Sequence, residues 1–371
     1  MVEDINGKKY YLKKSYIKNL LNMYITRFFL ILFFKKEKNP ENILIKISDG
    51  IGDVVIRSRL SEKLIEKFGK DKVYFLMQEN YKQLGEILGY KVIGISKSEK
   101  YNLLKRIRKF FEINKLGIKI FINLEGKNDS VVGNIITKEK IGISDMDPAV
   151  KIYNKFYTKE IKVNKNEKIL NQIKTIAESI LERELKEEEL IPNLKVNINF
   201  KSEGIVIAIG STSREKVCSP YRMAEYIKEI EKEFPKEKIY LVGNGKLQLE
   251  YAEYLIKKLN EVKIINLVDR TNLKEVFEII ENCKLFIGFD SGLYNYSYSL
   301  RKKTIALFKD LNSPFRHEAE WVKVLGPEKE KINDFEDENY PNKEINNISI
   351  QSFINALNEM KMYKREGEER W

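Results

Sequence analysis

The sequence predicts an α/β protein with two doubly wound domains, preceded by a basic amphipathic extension. The chain has 371 residues, long enough to bury two cores of ordinary size. Short β-branched apolar runs alternate with longer helical runs, which is the pattern of parallel βαβ units. This alternation occurs twice, with a polar stretch at residues 193–203 between the two series. We therefore expect two successive parallel sheets flanked by helices.

Residues 1–41 form the predicted extension, an apolar and aromatic segment bordered by lysines. Its longest uninterrupted apolar run is residues 28–34, and Lys18, Asn22 and Arg27 interrupt the rest, which disfavours a membrane-spanning helix. No small-residue cleavage site follows, so a removable signal peptide is not expected. Three interpretations stay open: a helix on an anionic membrane surface, a helix packed on the protein's own core, and a signal anchor.

The first α/β series defines a predicted domain at residues 42–192. Its apolar runs are typical of strands and its amphipathic runs of helices. The predicted strands are 43–47, 72–77, 91–95 and 119–124, with a strand and loop at 137–148; the predicted helices are 54–68, 80–88, 101–114 and a long charged helix at 166–190.

The second series defines a predicted domain at residues 193–346, followed by a terminal helix and charged tail at 347–371. Ligands of such sheets bind beyond the carboxyl ends of the strands, so a cleft between the domains is the expected site. The predicted strands are 204–209, 238–243, 263–267, 285–289 and 304–308; the predicted helices are 220–234, 247–259, 273–283, one from Leu293, and 350–364, with an exposed acidic loop at 334–338.

Composition limits the partners without choosing one. The net charge of +12 favours an anionic partner, although a biased genome would also produce a lysine-rich chain. No recognition motif accompanies the charge, so nucleic acid is not expected. Cys218 and Cys283 lack the spacing of a metal site or a disulfide framework, which fits a cytoplasmic protein. His317 is the only histidine and stands in a loop-like context, so we expect a surface position.

The loop SDGIGD, residues 48–53, joins the first predicted strand to its helix. Gly50 and Gly52 are expected to allow positive φ and close backbone approach, and the helix amides beyond them could receive an anion or a sugar hydroxyl. Asp53 has two open interpretations. It is either a helix N-cap or a general base at the floor of a cleft.

Two loops of the second series carry hydroxyls and charges. GSTSREK, residues 210–216, offers the hydroxyls of Thr212 and Ser213 with the cations Arg214 and Lys216, a plausible phosphate cradle. Asp290-Ser291-Gly292 follows a later strand and precedes a helix. In both loops the same residues would also serve as ordinary turn and N-cap residues.

Three further features of the sequence have simple structural interpretations. GNGKLQ at 243–248 lacks the third glycine of a dinucleotide fingerprint and predicts a tight turn. Asp145 and Asp147 have the acid-x-acid form of some metal-dependent glycosyltransferases, but Pro148 follows and no adjacent strand supports a metal site, so a solvated loop is expected. Tyr294, Tyr296 and Tyr298 are expected to fill space around the Asp290 loop rather than stack on a ligand.

Together these stretches resemble glycosyltransferase family 9, the ADP-heptose:lipopolysaccharide heptosyltransferases. The resemblance covers residues 43–326. It rests on four motifs in order: I-G-D-V at 51–54, T-S-R-E-K at 212–216, the D-S-G-L loop at 290–293 preceded by an N-L…L-x-E…I pattern at 266–280, and T-I-A-L-F at 304–308.

The resemblance implies a GT-B architecture of two Rossmann-like domains and an inverting transfer that needs no metal and no cofactor. It implies that the first domain holds the acceptor through Gly50, Gly52 and Asp53, with Asp53 as the base. The second would hold the nucleotide sugar, by default ADP-heptose, for an anionic lipopolysaccharide acceptor at the inner face of the cytoplasmic membrane. The implied donor-binding residues are Thr212, Ser213, Arg214, Lys216 (also catalytic, through the leaving diphosphate), Glu250, Asp290, Ser291, Gly292 and Leu293.

Three positions depart from the family pattern, all in the presumed donor half. Asn295 stands where the family has histidine, Lys309 where it has glycine, and Cys218 where it has tryptophan. Two alternatives therefore stay open: the same fold with another nucleotide sugar or surface-glycan acceptor, and a non-catalytic member that binds glycolipid or a partner.

Overall fold

A computed structural model describes residues 2–3, 9–10, 14–35, 39–47, 50–125, 130–144, 151–194, 204–211, 213–328 and 344–363. The chain divides into two compact units, Met1–Leu190 and Ile191–Trp371. Each unit contains a six-stranded sheet with helices on its faces. The α/β fold class predicted from the sequence is confirmed, whereas the finer domain boundaries stay predictions.

Unit 1 is built on a wholly parallel sheet with the order β5-β4-β3-β6-β7-β8. A separate antiparallel pair, β1 (Val2–Glu3) and β2 (Lys9–Tyr10), precedes it. The sheet strands are β3 (Asn42–Lys46), β4 (Val73–Gln78), β5 (Val92–Ile95), β6 (Ile118–Asn123), β7 (Glu139–Ile143) and β8 (Lys159–Ile161); the helices are α1 (Lys14–Phe33), α2 (Ile51–Ile56), α3 (Ser58–Phe68), α4 (Lys82–Ile87), α5 (Lys97–Tyr101), α6 (Leu103–Asn114) and α7 (Ile169–Leu181).

Unit 2 repeats the topology with the order β11-β10-β9-β12-β13-β14, again wholly parallel. Its strands are β9 (Ile205–Ala208), β10 (Ile239–Val242), β11 (Ile264–Asn266), β12 (Leu285–Phe289), β13 (Thr304–Leu307) and β14 (Val322–Leu325); its helices are α8 (Pro220–Glu233), α9 (Lys246–Lys258), α10 (Leu273–Asn282), α11 (Gly292–Ser299) and α12 (Ile350–Met362).

Both sheets therefore have the 3-2-1-4-5-6 strand order of a dinucleotide-binding fold, counted from the first strand of each. In such a sheet the chain turns in opposite directions from the first and the fourth strands, and ligands bind at the crevice between them. That switch point lies between β3 and β6 in unit 1 and between β9 and β12 in unit 2.

One predicted helix is divided in two and another ends early. The helix predicted at 54–68 is two helices, α2 and α3, because Arg57 between them leaves helical geometry with φ −93° and ψ 3°. The helix predicted at 166–190 ends at Leu181, because Glu182 takes a left-handed conformation with φ 58°. The edge strands β8 and β14 were not predicted.

Helix α1 packs on unit 1, so the interpretation of the extension as a helix on the protein's own core is confirmed for one of its faces. Met23 and Leu30 are fully buried with the core around Phe110 and Val131. The opposite face exposes large apolar side chains. Among the residues that the model describes, no helix is long and apolar enough to cross a membrane.

Candidate functional site

The switch point of unit 2 carries an ion pair between its two central strand ends. The Nζ of Lys216, in the loop after β9, lies 2.6 Å from Oδ2 of Asp290, which directly follows β12. Ser211 reinforces the same junction, because its hydroxyl donates to the backbone oxygen of Asp290 at 3.0 Å. The two loops singled out in the sequence are thus brought together. Lys216 remains 31% exposed, so its ammonium can also reach a ligand.

The residues around Lys216 form one short turn. Ser213 precedes a 3₁₀ turn, Arg214–Lys216, and makes no side-chain cap bond to it. Arg214 is exposed, and no side-chain partner for it is found in the described part of the chain. Thr212, the third predicted member of this cradle, lies outside the described residues. The turn therefore offers one exposed guanidinium and one partly exposed ammonium at the carboxyl end of β9.

Ser291 begins helix α11 as its N-cap residue, with an extended backbone at φ −152°. Its hydroxyl makes no cap bond, and no partner for the buried Oγ is found within the described residues. Gly292 and Leu293 are the first two residues of the helix and are half-buried. A buried hydroxyl and the first amides of an eight-residue helix therefore lie at the end of β12 with unused hydrogen-bonding capacity.

Asn295, which stands where the family has histidine, contacts the chain's one histidine. Asn295, one turn into α11, accepts a hydrogen bond at Oδ1 from Nε2 of His317 at 2.8 Å, and its amide donates to the Ser291 backbone oxygen at 3.0 Å. His317 is buried, so the surface position predicted for it is wrong. Its ring stacks on Tyr298 at 4.0 Å between centroids and on Tyr294 at 5.4 Å. The chain's one imidazole thus supports α11 through an amide.

The tyrosines of α11 fill the core, as predicted. Tyr294, Tyr296 and Tyr298 are almost fully buried, because this helix is enclosed on all sides. Tyr296 stacks on Phe277 of α10, with 3.7 Å between ring centroids. Burial raises the pKa of Tyr294 and Tyr296 well above the ordinary value for a phenol. These hydroxyls therefore stay protonated and take no part in acid–base chemistry.

The other two departures from the family pattern have local structural accounts. The ammonium of Lys309 pairs with Glu215 at 2.8 Å, beside Lys216, which lowers the pKa of that exposed carboxyl. Cys218 is buried under Tyr251 of α9, whose hydroxyl donates to the Cys218 backbone oxygen at 3.2 Å. Burial raises the pKa of the Cys218 thiol to about 12, so the thiol is not a nucleophile.

The GNGKLQ segment is a tight turn, as predicted. Gly245 has φ 107°, a conformation that favours glycine, and its amide donates to the Asp269 carboxylate at 2.7 Å. The sequence reasoning overlooked Gln248, which packs on Gly210 so closely that a Cβ there would lie 3.0 Å from its Cγ. Glu250, predicted to contact the donor ribose, is exposed and lies 3.7 Å from Lys246 of the same helix.

The backbone around Asp53 differs from the sequence prediction in two respects. Gly50 is the N-cap of α2, so the N-cap interpretation of Asp53 is wrong. Gly50 has φ −177°, which any residue adopts, and Gly52 lies inside α2; the expectation of positive φ is therefore also wrong. A Cβ on Gly50 would lie 3.4 Å from Oδ2 of Asp53, an ordinary contact. Ser48 and Asp49 lie outside the described residues.

Asp53 is held by a partner that the sequence reasoning missed. The Nη1 of Arg57, four residues on, donates to Oδ1 at 2.7 Å and to the Asp53 backbone oxygen at 3.2 Å. The Arg57 side chain is 6% exposed and the Asp53 side chain 25%. One carboxylate oxygen is thus fixed by a buried guanidinium while the group as a whole remains accessible. The i,i+4 spacing at the end of a short helix was the available signal.

The described residues contain no assembled metal site. No group of three or more His, Cys, Asp or Glu residues lies close enough there to hold an ion. Asp145, Asp147 and Pro148, the weak acid-x-acid motif, fall outside the described residues, as does the acidic loop at 334–338.

Two parallel sheets of 3-2-1-4-5-6 order in one chain are the architecture of the two-domain GT-B class. A family model described as "Glycosyltransferase family 9 (heptosyltransferase)" matches residues 138–345, more than half of the chain. The chain belongs to this family, and it is a glycosyltransferase. The match spans the loops at 210–216 and 290–293 and all three departures, and it leaves out the Asp53 loop.

Known proteins of similar sequence are consistent with membership of this family, and solved structures of similar fold are consistent with the architecture. The chain is 21% identical over 286 residues to "Lipopolysaccharide heptosyltransferase 1" of Campylobacter coli, covering 71% of this chain and 82% of that protein. The structure of E. coli ADP-heptose LPS heptosyltransferase II has a TM-score of 0.66 at 15% identity, covering 86% of this chain and 98% of its own. An iron-containing dodecameric heptosyltransferase, TibC, has a TM-score of 0.50 at 11% identity, covering 88% and 77%. The solved structures support the fold alone.

Proposed function

We propose that this chain is an inverting, metal-independent heptosyltransferase that moves heptose from a nucleotide sugar, by default ADP-heptose, to a lipopolysaccharide core acceptor. The observation that carries the proposal is the junction at the switch point of unit 2. There Lys216, Asp290 and Ser291 meet at the ends of β9 and β12. The chain belongs to a heptosyltransferase family, and its crevice at the ends of β9 and β12 is polar. These two facts together favour a nucleotide-sugar donor over other anionic ligands.

In this proposal, the donor diphosphate occupies the crevice above β9 and β12. Its oxygens receive hydrogen bonds from the Ser291 hydroxyl and the first amides of α11, and positive charge from Lys216 and Arg214. The hydroxyls of Thr212 and Ser213 would contribute from the same loop. Asp290 holds Lys216 in place, and Gly292 and Leu293 supply the helix terminus. Glu250 is proposed only as a contact to the ribose.

In the proposed reaction, Asp53 of unit 1 acts on the acceptor, and Lys216 and Arg214 of unit 2 act on the donor. Asp53 takes the proton of the acceptor hydroxyl as its oxygen attacks the anomeric carbon of the donor. The bond from that carbon to the phosphate oxygen breaks, and the electron pair leaves with the nucleoside diphosphate. Lys216 and Arg214 stabilise the added negative charge, so the step needs neither an acid nor a metal. Attack opposite the leaving group inverts the anomeric centre.

We propose that the enzyme works in the cytoplasm, at the inner face of the cytoplasmic membrane. A lipopolysaccharide core acceptor is an anionic glycolipid, and the net charge of +12 favours its approach. Gly50 and Gly52 would let the acceptor approach the backbone beside Asp53.

A panel of nucleotide sugars measured by thermal shift tests the donor. ADP-heptose should raise the melting temperature of the wild-type chain, and Lys216→Ala should weaken that binding by about 10- to 100-fold, the usual value of a charge-assisted hydrogen bond. The matched control is Lys309→Ala, which removes an ammonium from the neighbouring Glu215 pair. If a different nucleotide sugar gives the largest shift, the donor is that sugar. If none stabilises the chain, the proposal is wrong.

Transfer to a lipopolysaccharide core acceptor, assayed with and without a chelator, tests the reaction. Product should form at the same rate in both, with inverted configuration at the anomeric carbon. Loss of turnover with the chelator, restored by iron or another metal, would contradict metal independence. Donor binding without any transfer would favour a non-catalytic member of the family.

A further inference from the structure

Helix α1 is fixed to unit 1 by its polar groups as well as by its buried side chains. The amide of Asn22 donates to the Tyr101 backbone oxygen at 3.0 Å, and the Asn134 amide donates to the Met23 backbone oxygen at 2.9 Å. The guanidinium of Arg27 donates to the Gly133 backbone oxygen at 2.7 Å. These contacts fix the rotation of α1 about its own axis. The face that remains outside is therefore a permanent surface of the folded chain.

That outer face is apolar along most of the helix. Residues spaced three and four apart in α1 line one side of it, and they are large and exposed. They are Ile17, Leu21, Tyr24, Phe28, Ile31 and Leu32, each between 40% and 63% exposed. We call these six residues the outer face of α1. Water-exposed apolar side chains in such a continuous row mark an interaction surface rather than ordinary scatter.

The charged residues of α1 itself are all basic. The sequence of α1 contains lysines and one arginine but no aspartate or glutamate. The ammonium of Lys155 donates to the Tyr24 hydroxyl at 2.5 Å, which adds a further cation at its edge. Next to α1 packs α6, where Lys105 stands beside the exposed Leu104, whereas Arg108 is paired with Glu112 at 3.2 Å. An apolar row with a cationic border fits a surface that is apolar inside and anionic outside.

We infer that the outer face of α1 docks this chain on an anionic lipid bilayer, lying in the interface with its apolar row inserted and its cations at the headgroups. This names the contact surface for the membrane location proposed above and can be tested without donor or acceptor. A second copy of the chain fits the same surface less well. Symmetric pairing of two such faces would bring like charges together, whereas anionic lipid neutralises them.

Vesicle flotation with the full chain tests the inference. The protein should float with vesicles of equimolar phosphatidylethanolamine and phosphatidylglycerol, less with phosphatidylcholine alone, and less as salt rises through the range that screens surface charge. Phe28→Gln with Ile31→Gln should lower the partition coefficient at least about tenfold, because two inserted side chains are lost. Both side chains are more than half exposed, so folding should be unaffected, as far-UV circular dichroism would check.

The matched control replaces two exposed apolar residues of unit 2, Ile256→Gln with Met362→Gln. These should leave vesicle binding unchanged. The inference is overturned if the wild-type chain does not float, or if the α1 variant floats as well as the wild type. It is also overturned if light scattering finds a wild-type dimer that the α1 variant converts to a monomer, since a second copy would then cover the face. None of these outcomes depends on glycosyl transfer.

Discussion

The two sheets share one strand order but place different ion pairs at the switch point. In unit 1, Lys46 at the end of β3 pairs with Glu125 after β6, and the side chains are 5% and 6% exposed. In unit 2, Lys216, in the turn that follows β9, pairs with Asp290, directly after β12, and these side chains are 31% and 12% exposed. The same topological position thus holds a buried charge pair in one unit and an accessible one in the other. Burial, rather than topology, separates a structural pair from a candidate ligand site.

The largest expected effect comes from breaking the buried pair. Lys46→Met leaves the Glu125 carboxylate buried without that ammonium, which should cost unit 1 about 3–5 kcal/mol of unfolding free energy. Both tryptophans of the chain, Trp321 and Trp371, belong to unit 2. In urea, the unit 1 transition seen by circular dichroism should therefore shift to a lower urea concentration. The transition seen by tryptophan fluorescence should keep its midpoint. Lys216→Met, the matched variant in unit 2, should change stability far less.

Next in size is the loss of the proposed base. Asp53→Asn should lower the transfer rate by about 100-fold or more, since an amide cannot take the acceptor proton. Donor binding measured by thermal shift should stay as in the wild type, because the donor is assigned to unit 2. Asp71→Asn, which changes an exposed carboxylate of the same unit, serves as the control and should be neutral. Wild-type turnover in Asp53→Asn would remove Asp53 from the mechanism.

A buried lysine should make the unfolding free energy of unit 1 depend on pH. Burial, reinforced by Arg27, lowers the pKa of Lys140 to about 7. The unfolded lysine keeps its ordinary value near 10.4, so between about pH 7 and about pH 10 the unfolded chain binds the extra proton. The unfolding free energy of unit 1 should therefore increase by roughly 1–3 kcal/mol as the pH is raised across this window.

Lys140→Met should abolish most of that slope in the circular dichroism transition of unit 1. The tryptophan transition of unit 2 should have the same pH dependence in both proteins. An unchanged slope in the variant would mean that another group titrates.

The smallest effect is expected at the family's altered glycine position. Lys309 and Glu215 are 35% and 62% exposed, so Lys309→Gly should change unfolding free energy by no more than about 0.5 kcal/mol. Donor binding should stay within about twofold, because the ammonium already faces Glu215. A large gain in affinity would instead mean that Lys309 obstructs the crevice.

The sequence predicted every sheet strand except β8 and β14, and the loops that follow them, because apolar runs and glycine-rich strand ends are local signals. It placed Lys216 and Asp290 in separate motifs, and parallel pairing around the switch point explains why they meet. Arg57 was missed as the partner of Asp53, since the helix predicted at 54–68 hid the break at Arg57. Its charge looked like one of many in a lysine-rich chain.

His317 was mispredicted for a different reason. Its loop context is polar, but a contact that spans 22 residues, to Asn295, and two stacked tyrosines bury it. Such packing has no periodic signature in the sequence. The substitution of histidine by Asn295 therefore could be noticed from sequence, whereas the imidazole that supports it could be found only in the fold.

His317 also gives the loop at 290–293 a built-in spectroscopic reporter. With one histidine in 371 residues, a chain labelled only in histidine produces a single set of imidazole resonances. Two tyrosine rings shift those resonances, and a hydrogen bond links the imidazole to the residue one turn beyond Ser291. Any ligand that moves the start of α11 would change this one signal. Occupancy of the crevice could therefore be followed without mutation, chemical tagging or a catalytic assay.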